Sequence, residues 1–263
     1  MLTMLNGSKI AYQIDGPKGR PMVILVHGFP FTRATWKAQV AVLKKDFRVL
    51  TYDLRGMGQS GLGKAPQPLE AFVDDLVALL DHLKVAKAGL LGLSMGGYIA
   101  LRAIERNPER FWSLVLADTK ATPDSDEGKL GRAAGIKALH AKGVKPFAEG
   151  MLPKLLLAPQ ASAGRGLLKL MLTNKVPGMA NALAAMQGRT DTSVVLKSIK
   201  VPVLILVGEQ DQVIPLAIAQ AMALECVGSK LVVLKNAGHV SNLEAPELFN
   251  TEILKFLKEA YDK

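Results

Sequence analysis

Short runs of Val, Ile and Leu at residues 22–26, 47–52, 90–91, 113–117, 203–207 and 231–234 alternate with stretches of helical apolar spacing at 36–43, 69–83, 95–107, 216–227 and 245–261. Runs this short and this apolar suit strands covered on both faces. Strands that alternate with helices are joined by crossovers, which makes them parallel. Within 69–83, Phe72, Leu76, Leu79, Leu80 and Leu83 recur at intervals of three and four and form one apolar stripe. The expected fold is α/β: a mostly parallel, twisted sheet with helices on both faces. Ahead of it, residues 1–5 and 9–14 flank Asn6-Gly7. Both residues tolerate positive φ, so the pair predicts a hairpin closed by a type I′ turn.

The rhythm fails from residue 119 to 198, where helical segments rich in Ala, Leu, Lys and Met are interrupted at Gly143, Pro146, Pro153, Pro159, Gly164 and Pro177-Gly178. This reads as a helical cap inserted between two strands, dividing the chain into a core of 1–118 and 199–263 and an insertion of 119–198. The insertion leaves the sheet at the edge where crossover loops build sites, so it is expected to lie over a pocket.

With 263 residues, 49% hydrophobic and 21% charged, the chain has enough apolar material for one large core. Its net charge of +10 does not imply nucleic acid as a partner. The lysines are scattered, and no aromatic platform is interleaved with them to follow a phosphate backbone. Cys226 is the single cysteine, which excludes an internal disulfide and a cysteine-based zinc site. The first nine residues lack a signal-peptide pattern. No apolar run approaches the roughly 20 residues of a membrane span. A cytoplasmic protein without a membrane partner is expected; the sequence leaves its oligomeric state open.

Gly92-Leu93-Ser94-Met95-Gly96 follows the 90–91 run and precedes a helix-forming stretch. A serine at such a strand-to-helix elbow is exposed as a nucleophile, and its neighbours must be small to let the chain turn. A hydroxyl needs a base. Of the four histidines, His82 and His140 read as solvated side chains, and His239 lies in the loop after the last strand. The imidazole in turn needs a carboxylate to hold its tautomer. Asp211 follows the 203–207 run, with Glu209 and Asp118 as rivals.

The order Ser, Asp, His resembles the α/β-hydrolase superfamily. So do the stretches His27-Gly28-Phe29-Pro30, residues 53–60 (Asp-Leu-Arg-Gly-Met-Gly-Gln-Ser), the elbow and Gly238-His239. The resemblance favours Asp211 over Asp118 as the acid. It implies that the backbone amides of Phe29 and Met95 form an oxyanion hole, and that His27 shapes the Phe29 loop. Asp53 and Arg55 are implied to be structural, as an ion pair or a loop brace, and Phe31 and Trp36 are candidates for the pocket lining, with ordinary core packing the alternative for Trp36. Serine at the elbow, where dehalogenases and epoxide hydrolases carry aspartate, makes the chain similar to small carboxylesterases and to 3-oxoadipate enol-lactonase-like enzymes.

The expected function is cleavage of small, largely apolar carboxylic esters through an acyl-enzyme, with no metal or organic cofactor. Lactone hydrolysis, carbon–carbon bond hydrolysis and perhydrolysis are alternatives for the same triad, and a non-catalytic ligand receptor is the alternative of another class. The apolar residues of the insertion, among them Leu152, Leu155, Leu167, Met171, Met179, Leu183 and Met186, suit either an apolar pocket or the cap's own interior. Arg132, Arg165 and Arg189 are candidates to meet a substrate carboxylate.

Overall fold

A computed structural model describes residues 1–64 and 66–262. The chain opens with β1 (Leu2–Leu5) and β2 (Ser8–Asp15), antiparallel about a turn in which Asn6 and Gly7 have φ of 47° and 72°. Both values are those a type I′ hairpin requires. There follow β3 (Met22–Val26), a 3₁₀ turn (Arg33–Trp36), α1 (Lys37–Leu43), β4 (Arg48–Tyr52), α2 (Leu69–His82), β5 (Ala88–Leu93), α3 (Met95–Arg106) and β6 (Phe111–Ala117). The segment after β6 folds as α4 (Asp126–Lys142), α5 (Val144–Leu155), α6 (Ser162–Met171), α7 (Val176–Gln187) and a 3₁₀ turn (Ser193–Ser198). The sheet resumes with β7 (Val203–Gly208), and α8 (Leu216–Glu225), β8 (Lys230–Leu234), α9 (Ser241–Glu244) and α10 (Pro246–Tyr261) complete the chain.

These strands form one sheet in the order β1-β2-β4-β3-β5-β6-β7-β8. β4, β3, β5, β6, β7 and β8 are mutually parallel, and β2 is antiparallel to β4. Side chains of a strand alternate between faces, and here both faces are apolar. Ile24 and Val26 of β3 pack into one cluster, with Phe72, Leu76 and Leu79 of α2 and Ile99 of α3. Val23 and Leu25 pack into the other, with Leu43 of α1 and Phe249, Ile253 and Leu257 of α10. Burial on both faces removes the usual polar alternation, which is why these strands read as continuous apolar runs.

The helices between β6 and β7 add to both clusters, Met179, Leu183 and Met186 to the first and Leu152, Leu155, Leu167 and Met171 to the second. These seven side chains are therefore buried. Thr192 donates to the Ala121 carbonyl from both its amide and its hydroxyl, at 3.1 and 2.9 Å, which ties the outgoing chain to the returning one. Only some of the expected interruptions end helices. Gly143 separates α4 from α5, but Pro146 and Pro177 lie in first helical turns, and Pro153 and Gly164 lie inside α5 and α6. A first-turn proline has no amide partner to lose. Among the described residues, no helix is long and apolar enough to cross a membrane.

Candidate active site

β5 is the central parallel strand of the site, and its chain must reverse into α3 within a residue. Ser94 takes the turn with φ 53° and ψ −114°, a strained conformation for a residue with a side chain. The reversal requires close backbone contact. A Cβ at Gly92 would lie 2.3 Å from the Gly96 carbonyl oxygen, and one at Gly96 would lie 2.1 Å from that of Val26. The Ser94 amide donates to Ala117 O at 2.9 Å, and the Thr119 hydroxyl donates to Ser94 O at 2.8 Å. Thr119 has no distinguishing motif in the sequence; its contact arises only because β6 lies beside β5.

His239 follows β8 and is nearly fully buried. Its Nε2 lies 2.8 Å from Ser94 Oγ and its Nδ1 2.8 Å from Asp211 Oδ2. The tautomer consistent with both contacts carries its proton on Nδ1, donates to the carboxylate and leaves Nε2 to accept from the serine hydroxyl. Asp211, in the turn after β7, is held in place because its Oδ1 accepts from the amides of Val213 and Ile214 at 2.7 and 2.9 Å. The structure thus brings Ser94, His239 and Asp211 together although they are far apart in the chain.

The rival carboxylates are placed elsewhere. Glu209 is exposed. Asp118 is fully buried and accepts from the Gly208 amide through Oδ1 at 2.9 Å. Its Oδ2 accepts from the Ser241 hydroxyl at 2.6 Å and from the Ser241 amide at 3.1 Å. Burial, together with the nearby Asp211 charge, raises its pKa from 3.8 to about 7 despite these donors. Asp118 joins the turn that leads to Asp211 to the loop that follows His239.

Met95 is the first residue of α3, so its amide is one of the helix's unpaired donors. Among the described residues, neither the Met95 amide nor the Phe29 amide has a hydrogen-bond acceptor. His27 lies beneath the Phe29 loop, fully buried. Its Nδ1 is 2.8 Å from Gly28 O, and its Nε2 accepts from the Leu54 amide at 3.0 Å. Both ring nitrogens are occupied, and burial lowers its pKa. Phe29 is itself buried, edge-on to Phe147 of α5 at 6.2 Å.

Other expectations need correction. Asp53 and Arg55 both brace the structure, though not as a pair with each other. Asp53 is bound by Arg33, and Arg55 makes a buried two-point contact with Asp75 at 2.8 and 2.7 Å. Trp36 is fully buried against Phe249, at 6.3 Å between rings, and belongs to the core. Phe31 is also fully buried; its ring edge and Ser94 Cβ each lie 3.2 Å from where a Gly28 Cβ would stand, so both border Gly28. Arg132 and Arg189 bind Asp124 at 2.7 and 3.0 Å and hold its pKa down at about 2 against the effect of its burial. Arg189 also stacks over Tyr98 at 4.0 Å. Arg165 donates to Gln160 O at the surface. A cavity of about 780 Å³ bordered by Thr32, Arg33, Asp53, Gln59 and Thr173 contains none of the three assembled residues.

Comparison with known proteins gives a consistent picture. A model described as "Alpha/beta hydrolase family" matches residues 23–252. The 3-oxoadipate enol-lactonase 1 of Acinetobacter baylyi is 29% identical over 264 residues, covering 98% of this chain and 96% of that protein. A thermophilic esterase from Thermogutta terrifontis, solved with malate bound, superimposes with a TM-score of 0.94 at 33% identity, with 99% of each chain covered. The enol-lactonase from Burkholderia xenovorans LB400 gives 0.91 at 30% identity, covering 98% of this chain and 100% of that one.

Proposed function

Because the chain belongs to the alpha/beta hydrolase family, we propose that it is a serine hydrolase cleaving small carboxylic esters through an acyl-enzyme, with Ser94 as nucleophile. The observation that carries this reading is the continuous hydrogen-bonded line from Ser94 Oγ through His239 to Asp211, 2.8 Å at each step. In it, His239 Nε2 takes the serine proton as Oγ attacks the ester carbonyl, and Asp211 stabilises the resulting imidazolium. The unpaired amides of Phe29 and Met95 receive the developing oxyanion. Each such donor lowers the barrier by roughly 3 kcal/mol when aimed at that charge. His239 then protonates the departing alcohol and activates the water that releases the acid. In this reading residues 119–198 form a cap over the site.

Hydrolysis of a lactone is the second reading. It is favoured by the two enol-lactonases that align with nearly the whole chain. The chemistry differs only in that the leaving alcohol stays attached to the acyl group. A panel of p-nitrophenyl esters and lactones, run on the parent protein and on Ser94→Ala, tests both. Turnover by the parent that falls at least about 10⁴-fold in the variant is expected. Retention of activity within a fewfold would sink the assignment of Ser94. Turnover of lactones far above that of open esters would select the second reading.

A further inference from the structure

Two side chains fasten the 119–198 segment to loops of the site. Asn174, buried in the turn between α6 and α7, donates from Nδ2 to the Pro30 carbonyl and accepts at Oδ1 from the Gly58 amide, both at 2.7 Å. It is therefore engaged at both ends, and one end grips the residue after Phe29. That turn is otherwise closed by the Phe31 amide donating to Gly28 O at 3.0 Å. Across the site, Glu244 of α9 accepts from the Gly238 amide through Oε2 and from the Leu157 amide through Oε1, again both at 2.7 Å. Gly238 directly precedes His239, and Leu157 lies in the turn between α5 and α6.

We propose that Asn174 and Glu244 are positioning residues that use the inserted segment as an anchor, Asn174 for the Phe29 loop and Glu244 for the His239 loop. The proposal rests on the functional reading above and adds to it that the cap sets the geometry of the reacting groups as well as covering them. An amide stabilises an oxyanion only if it already points at the developing charge, since turning it during the reaction consumes the gain. A base displaced by about 1 Å loses about 100-fold in rate. Neither Asn174 nor Glu244 touches Ser94, His239 or Asp211, so each acts through the loop it holds. The carboxylate of Glu244 suits its task because two amides converge on it in charge-assisted bonds.

The test compares the parent with Asn174→Ala, Asn174→Asp and Glu244→Ala on p-nitrophenyl butyrate, with reactive serines counted by a fluorophosphonate. Per reactive serine, kcat should fall at least about tenfold in each variant while KM stays within about twofold. Asn174→Asp should be as slow as Asn174→Ala, because a carboxylate still accepts from Gly58 but cannot donate to Pro30. Affinity for phenylboronate, which forms a tetrahedral adduct with the serine, should fall in parallel in the Asn174 variants. A merely structural role would lower the melting temperature and the count of reactive serines but leave kcat per serine at the parental value; that result overturns the proposal and leaves the functional reading standing. A parent that turns over neither ester nor lactone and is not labelled at Ser94 overturns the functional reading and this proposal with it.

Discussion

Asp118 and Asp211 both follow apolar strands, and at the level of single residues little in the sequence apart from the family resemblance separates them. Their surroundings do: Asp211 faces His239 across 2.8 Å, whereas Asp118 is turned towards Gly208 and Ser241. Asp211→Asn should therefore lower kcat by about 10⁴-fold, as expected when an imidazole loses the partner of its tautomer. Asp118→Asn should cost about tenfold or less, because Asp118 touches no reacting atom. Ester turnover of the two purified variants decides this, and the opposite ranking would reassign the acid. Asp118 also carries a pH signature. Its folded pKa is raised from 3.8 to about 7, so ionisation destabilises the native state. That cost is absent below about pH 4, grows as pH rises through 7 and is constant above. Urea melts should accordingly show a smaller stability gap between parent and Asp118→Asn at pH 8 than at pH 5. The elbow, by contrast, was legible because its serine and flanking glycines stand within five consecutive positions, and Gly92 meets the backbone of Gly96 and Gly97, four and five positions on. Asn174, Glu244 and Thr119 were not, since each has a partner 25 or more positions distant, Pro30, Leu157 and Ser94 respectively, and no spacing rule announces them.

Elements with a strong period were legible, and those diluted by glycine or proline were not. β5 could be read only at 90–91 because Gly89 and Gly92 thin its apolar run, yet the strand spans Ala88–Leu93. In the inserted segment Gly164 resembles a helix breaker. It is needed instead for close approach, as a Cβ there would stand 2.0 Å from the Pro159 carbonyl oxygen of the preceding turn. Gly178 works in the same way between elements: a Cβ on this α7 residue would lie 1.8 Å from the Gly56 carbonyl oxygen in the loop after β4. Gly178→Ala should therefore destabilise the protein by about 1–3 kcal/mol through overpacking. Gly150→Ala, in α5 with nothing within 4 Å of its Cβ, should stabilise it by about 0.5–1 kcal/mol. Thermal melts of both variants check the contrast, and equal shifts of the same sign would refute the account of Gly178.

Over the whole molecule, the alternation of strand and helix was enough to anticipate a sheet covered on both faces, because two-sided burial leaves its mark on the inner strands. How far the 119–198 helices enter the two clusters could not be anticipated, since an apolar helix looks the same whether it packs on its neighbours or faces a ligand. The net charge of +10 gives the molecule a long-range field. For an ester that bears a carboxylate, kcat/KM should fall as salt rises from 0.01 to 0.5 M, while that of a neutral ester of similar size should hardly change, as screening shortens the reach of the field from about 30 Å to a few ångströms. Stopped-flow measurement of both substrates distinguishes steering from a general salt effect, which would slow the two alike. The stitch between Thr192 and Ala121 has a further consequence. A chain that leaves and re-enters the sheet through one tied neck keeps its two ends together whatever length lies between them, and each doubling of that length costs only about 0.6 kcal/mol of closure entropy. The neck is thus a graft point at which evolution or a protein engineer can exchange what lies beyond, provided that the replacement brings its own grip on Pro30 and offers Glu244 an amide to hold.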